Sequence, residues 1–266
     1  GMTKAAPAAV TDPTPMAKPA ESAPVTAAAA AEAAEYTDVK LSTVRKTIAK
    51  SMHASLSSMA QLTLNTSFDA TKLLELRARL KEHSERLGLG NISLNDMILY
   101  AVSRTLGAHA ELNAHYLEEE SKMRLFSQVN LGIAVDTERG LLVPTLFGAD
   151  KMTLGELSAK AKVLIASAQK GETAPDLLRG ASFTVTNLGS LGVESFTPVI
   201  NPPQTGILGV DTITRRLKEV DGRDVFYPAM GLSLTFDHRA LDGAPAARFL
   251  RELCAGLENF DLLLVK

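Results

Sequence analysis

Two strand-like runs separated by one short turn limit the fold more than any other feature of this chain. Val129, Leu131, Ile133 and Val135 alternate with Asn130, Gly132 and Ala134, the period of two that marks a strand with one buried face. A turn through 137–140 follows, and 141–146, interrupted by Pro144, reads as a second strand. Two strands joined this closely pair antiparallel, because a parallel pair needs a crossover of a dozen residues or more. Three further candidate strands are 182–187, 205–210 and 230–237, and in the last Leu232, Leu234 and Phe236 share one face. Several strands follow one another without a regular βαβ alternation, which favours an α+β fold with a mixed sheet flanked by helices over a doubly wound parallel one.

The helices are read from the longer period. Val44, Ile48, Met52 and Leu56 recur every four residues on one stripe, with Arg45, Lys46 and Lys50 off it. A second helix is expected from near Asp69, with Leu73, Leu76, Leu80 and Leu87 facing inward. Ser93 with Asp96, and Thr153 with Glu156, have the spacing of capping boxes opening two more.

Residues 1–35 differ in kind. They hold 14 Ala and 5 Pro and no aromatic, Leu or Ile, too little apolar bulk to offset the entropy of ordering them. They read as a flexible linker, with Gly1 ahead of Met2 as a cloning remnant, and 36–266 as the folded domain. Lys plus Arg number 28 against 30 Asp plus Glu, a net charge of −2, which argues against nucleic acid or an acidic membrane surface as partner. No apolar run is long enough to span a membrane and no signal peptide is visible, so a cytoplasmic protein is expected. The single cysteine, Cys254, excludes an intrachain disulfide and a multi-thiolate zinc site.

The segment with most chemistry is Phe236-Asp237-His238-Arg239-Ala240-Leu241-Asp242-Gly243, where a strand ends and a helix begins. His238 falls at the strand terminus, where a side chain can face a cleft, and Asp242 at the helix cap. Taken alone, a solitary His near a turn and a capping Asp need no function, and no third ligand accompanies them for a metal.

That segment resembles the active-site motif of the 2-oxo acid dehydrogenase dihydrolipoyl acyltransferases and of their relative, chloramphenicol acetyltransferase. Four other stretches are similar in order and spacing: Leu41 to Met52, Ser93-Leu94-Asn95-Asp96, Asn130 to Pro144, and Phe183 to Gly189 with Asn201-Pro202-Pro203 and Gly206 to Val210. The similarity runs from about residue 38 to the C-terminus, and the Ala/Pro-rich leader resembles the swinging linkers of these enzymes.

The resemblance implies a chloramphenicol acetyltransferase-like fold, assembled as a homotrimer and then into cubes of about 24 or dodecahedra of about 60 chains. It implies transfer of an acyl group between dihydrolipoamide and coenzyme A, with the active site between subunits. His238 is then the base that takes the thiol proton. Thr186, where many members place Ser, donates its hydroxyl to the oxyanion. Asp242 pairs with Arg45 in a partly buried ion pair that orients the His238 loop, and Asn201 and Pro203 are expected to contact coenzyme A. The two chemical partners would sit far apart in one chain and close across an interface. The lipoyl domain is missing from the sequence, so the lipoyl group is carried elsewhere in a longer chain or by a domain in trans. The decarboxylating and dihydrolipoyl dehydrogenase components are the expected partners.

Residues with no assigned role are His53, His83, His109 and His115, expected in or beside helices without catalytic partners, and Cys254, expected to pack. The alternative is a coenzyme A-dependent O-acetyltransferase of the chloramphenicol-modifying type. Condensation domains of peptide synthetases have a similar motif but carry a second His where this chain has Asp237. A scaffold that has lost activity is the non-enzymatic reading, which an intact His238 and a hydroxyl at 186 oppose. The acyl group itself is not readable.

Overall fold

A computed structural model describes residues 36–86, 88 and 90–265. The expected linker and Leu87 therefore lie outside the described residues. Every element among the described residues lies within one compact unit, Leu41–Lys266.

Helix α1 (Thr43–Ser58) begins at Ser42, whose side chain accepts from the Arg45 amide. Its apolar stripe is present but not covered: only Ser55 is buried, and Val44 and Leu56 are exposed. Strand β1 (Gln61–Asp69) follows directly, and then α2 (Thr71–Glu82), where the Asp69 carboxylate accepts from both the backbone and the hydroxyl of Thr71. Helices α3 (Leu94–Leu106) and α4 (Leu154–Lys170) open with reciprocal capping boxes at Ser93/Asp96 and Thr153/Glu156, as the spacing predicts. Between them lie the hairpin β2 (Ala114–Leu117) with β3 (Lys122–Leu125), then β4 (Leu131–Ile133) and β5 (Thr145–Leu146). The chain finishes with β6 (Phe183–Asn187), β7 (Gly206–Val220), β8 (Arg223–Asp237), α5 (Gly243–Glu258) and α6 (Phe260–Leu263).

The main sheet has the order β1-β8-β7-β6-β4-β5. β6 runs parallel to both β4 and β7, while β1/β8, β7/β8 and β4/β5 are antiparallel, so the sheet is mixed. One face carries the core: Phe183 and Val185, Leu208 and Val210, and Leu232, Leu234 and Phe236 join the buried residues of α3, α4 and α5. Along the same strands the intervening residues, which face the other way, are small or polar: Thr184 and Thr186, Gly209 and Asp211, Ser233 and Thr235. That second face positions the site.

The sequence reading stops β7 at 210 and starts β8 at 230, whereas both strands continue to a two-residue turn at Asp221-Gly222, with both φ angles positive (51° and 74°). Asp-Gly is the pair such a turn selects, since glycine tolerates a positive φ and Asp tolerates it better than most. His115 is a correction: it lies in β2, not a helix, with its ring 2.8 Å from the Ala181 carbonyl oxygen and its pKa pushed down by burial.

Candidate active site

Strand β8 delivers His238. Asp237 ends the ladder opposite Gln61, and the His238 amide then donates to the Ala60 carbonyl at 2.8 Å, extending the pairing one residue further. Amides of Ala240 and Leu241 fold back on the Asp237 carbonyl, which closes the turn before α5. The imidazole stays 44% exposed, with its ring 5.5 Å from that of Phe236.

What fixes this turn is a pair that the sequence reading leaves without a role. Asp237 is fully buried and is gripped by Arg239 through Nε (3.1 Å to each oxygen), Nη2 (2.8 Å) and the Arg239 amide (3.1 Å). The guanidinium stacks over the Tyr116 ring at 4.5 Å and reaches Glu118 at 3.1 Å. These carboxylates hold the Arg239 pKa above its ordinary value. Residues two apart in extended chain point the same way, so Asp-x-Arg around a histidine is the signal that could have revealed the clamp.

The expected ion pair is not formed. The Asp242 side chain is 87% exposed, and its Oδ1 stands 3.8 Å from His238 Nδ1, too long for a hydrogen bond. Asp242 is the N-cap residue of α5 but its side chain makes no capping bond. Arg45 sits on the exposed first turn of α1 and makes no salt bridge among the described residues; its guanidinium lies beside Gly140. Both ends of the expected pair remain in water within one chain, where the high dielectric leaves little Coulombic gain from pairing.

Asn201 and Pro203 lie at the His238 end of the sheet. Asn201 donates to the Thr184 hydroxyl at 3.3 Å, and that hydroxyl donates to Gln204 at 2.7 Å. The Pro203 carbonyl accepts from the Tyr116 amide, and the Thr205 carbonyl from the Asp237 amide. Hairpin β2–β3 thus braces both this loop and the Arg239 clamp.

Thr186 lies elsewhere. It is opposite Gly209, which is opposite Ser233, five residues before His238. Two strand spacings across and five residues along put the Thr186 and His238 backbones about 19 Å apart. The Thr186 hydroxyl makes no hydrogen bond among the described residues, although the next side chain, Asn187, bonds Asn95 at 3.0 Å. One chain therefore places Asn201 and Pro203 at the end of the sheet where His238 lies and leaves Thr186 farther along it.

Of the remaining histidines, His53 lies on the exposed side of α1 and His83 at the end of α2. His109 does have an acidic partner, contrary to expectation: its Nε2 is 2.8 Å from Glu252 on α5. Cys254 packs on α5, where burial pushes its thiol up to about 11. Among the described residues no helix is long and apolar enough to cross a membrane.

This arrangement of a mixed sheet flanked by helices is shared with chloramphenicol acetyltransferase, which superposes with a TM-score of 0.52 at 15% identity over 83% of this chain and 98% of that one. That likeness defines the fold. The family of 2-oxoacid dehydrogenases acyltransferase catalytic domains matches residues 33–265, and the chain belongs to it. Azotobacter vinelandii dihydrolipoamide acetyltransferase, studied for the roles of a serine, a histidine and an asparagine in its catalytic mechanism, gives a TM-score of 0.82 at 30% identity, covering 86% of this chain and 94% of that one. The cubic core of a pyruvate dehydrogenase multienzyme complex gives 0.82 at 29%, covering 91% and 99%. Among curated relatives, the dihydrolipoyllysine-residue acetyltransferase component of the acetoin cleaving system of Bacillus subtilis (strain 168) is 39% identical over 84% of this chain. The corresponding component of the pyruvate dehydrogenase complex of the same organism is 36% identical over 90%. The chain spans 55% and 54% of these two relatives' lengths.

Proposed function

We propose that residues 36–266 are the catalytic unit of an acyltransferase that moves an acyl group between dihydrolipoamide and coenzyme A, with 1–35 as a linker. His238 removes the proton from the attacking thiol, and the thiolate forms a bond to the thioester carbon. The Thr186 hydroxyl donates to the tetrahedral oxyanion. Collapse breaks the bond to the departing sulfur, which takes the proton back from His238. Asn201 and Pro203, on the His238 side, are placed to meet the coenzyme A arm.

The observation that carries this reading is the split between an exposed imidazole on a braced turn and a hydroxyl that makes no hydrogen bond among the described residues, their backbones about 19 Å apart. A homotrimer in which His238 of one protomer meets Thr186 of the next would complete the site and cover the bare stripe of α1. Arg45 and Asp242 would then be drawn into lower dielectric beside it. The lipoyl group comes from another domain, and the decarboxylating and dihydrolipoyl dehydrogenase components act as partners of a larger core. The O-acetyltransferase reading has no observation in its favour beyond the shared fold.

The test is subunit mixing. His238→Ala and Thr186→Val chains, each expected to be nearly inactive with acetyl-coenzyme A and dihydrolipoamide, are unfolded together and reassembled. Random closed trimers rebuild about one intact site in four. Recovery of that activity supports the shared site. No recovery from correctly assembled mixtures, or transfer to chloramphenicol but not to dihydrolipoamide, overturns the reading.

A further inference from the structure

Beside Thr186 the second face carries a buried acid that acyl transfer does not require. Asp211 is 1% exposed, and its Oδ1 has no hydrogen-bond partner among the described residues. Oδ2 accepts from the Ser233 hydroxyl at 2.9 Å. Nothing in the surroundings compensates a charge: β6, the facing part of β8 and the turn Gly189–Leu191 hold no titratable side chain, Glu194 is exposed, and Asp96 on α3 is bound to Ser93, Ser158 and Lys162. Burial pushes the Asp211 pKa up. A carboxyl buried here on one neutral donor costs stability, so whatever it contributes lies in placement rather than in strength.

The placement is at a bulge. The β7/β8 ladder is regular to Val210–Leu232 and resumes at Ile213–Met230, so Asp211 and Thr212 together face Gly231. The Asp211 side chain lies over Gly231, where an added Cβ would come within 2.8 Å of it. On its other side the bulge seats the segment that follows Thr186. The Leu188 amide donates to Val210 (3.1 Å) and the Thr212 amide to Val193 (2.7 Å). A Cβ on Gly189 would stand 2.4 Å from the Asp211 carbonyl oxygen, so the turn rests directly on the bulged backbone. Thr186 itself is a diagonal neighbour of Asp211 on the same face, about 8 Å away.

We infer that Asp211 is a positioning residue for Thr186: its carboxyl, laid over Gly231 and bonded to Ser233, sets the bulge that seats 186–192 and so aims the Thr186 hydroxyl. The inference rests on the acyl-transfer reading of Thr186 and adds a residue to it.

The test is steady-state transfer from acetyl-coenzyme A to dihydrolipoamide by the full assembled chain. Asp211→Ala should lower kcat about tenfold while the KM for acetyl-coenzyme A stays within about twofold, the pattern of an interaction made in the transition state. Asp211→Asn, which keeps the acceptor and the shape, should recover most of kcat. In a Thr186→Val background Asp211→Ala should cost nothing further, because it acts through that hydroxyl. Should Asp211→Ala fail to fold, Gly231→Ala displaces the carboxyl without deleting it and must give the same loss, again absent in the Thr186→Val background. Losses that multiply, a wild-type kcat in Asp211→Ala, or no recovery in Asp211→Asn overturn the inference while leaving the Thr186 reading in place. A wild-type kcat in Thr186→Val overturns both.

Discussion

Replacing Arg239 with Met keeps an aliphatic stem of similar length but removes every guanidinium contact. The fully buried Asp237 carboxylate then loses the three side-chain hydrogen bonds from Nε and Nη2 and keeps only the Arg239 amide. Breaking a buried pair costs about 3–5 kcal/mol because the surviving charge is left without a partner. Arg239 is itself partly exposed and regains solvation on unfolding, which places this pair near the lower bound, at about 3 kcal/mol. For a domain of this size that loss lowers Tm by about 6–12 °C. The same turn presents His238, so kcat should fall at least tenfold, about 1.4 kcal/mol of barrier. Arg239→Lys restores the charge without the fork and should recover less than half of either loss. Calorimetry and the acyl-transfer assay are run on the same preparations. A melting temperature within about 2 °C of wild type, an effect of less than about 1 kcal/mol, would refute the claim that the clamp holds the turn.

The raised Asp211 pKa means that the folded state binds this proton more tightly than the unfolded chain does, so wild type loses stability relative to Asp211→Asn as pH rises from about 3.8 through the folded pKa. Paired melts should show the gain of the Asn variant absent near pH 3.5 and constant at high pH; a pH-independent difference contradicts this. With its thiol pushed up to about 11, Cys254 should resist iodoacetamide at pH 8 in the native protein and react at once in denaturant, as mass spectrometry would register.

The parts of the fold that were legible are those where burial follows a simple period. The alternation through Val129–Val135 and the core face of β8 write themselves into the choice of apolar residues, and the capping boxes opening α3 and α4 into polar pairs three residues apart. Strand β1 escaped because its alternation is blurred, with Leu62 exposed and Phe68 buried on the same register. The outer arms of β7 and β8 escaped because backbone pairing, not burial, holds them, and Arg215, Arg216, Lys218 and Glu219 read as a loop. Of the candidate site, the position of His238 at a strand terminus was legible, but the roles expected of His238 and Thr186 both came through family resemblance. The Arg45–Asp242 pair is not formed within one chain for a physical reason: it needs a buried environment that one chain does not supply. Asp211 was invisible because a bulge is a relation between two strands, and neither strand alone records which of its residues faces two.

The strength of the His238 turn and the weakness of everything expected to reach it belong together. Within one chain the Ala60 carbonyl holds the His238 backbone amide and the Asp237–Arg239 clamp fixes the turn, so the backbone that carries the imidazole is placed without substrate. Preorganisation of that kind serves catalysis only where a donor waits at the position of the developing charge. Thr186 of the same chain does not reach it, because β7 lies between β6 and β8 and Thr186 pairs across to a level five residues before His238. The groups left unsatisfied by folding (an exposed His238, a Thr186 hydroxyl with no partner among the described residues, Arg45 and Asp242 in water, the apolar stripe of α1) are the groups that the proposed trimer would satisfy. Folding rigidifies each half-site, and assembly, in the proposed trimer, would decide whether there is an enzyme.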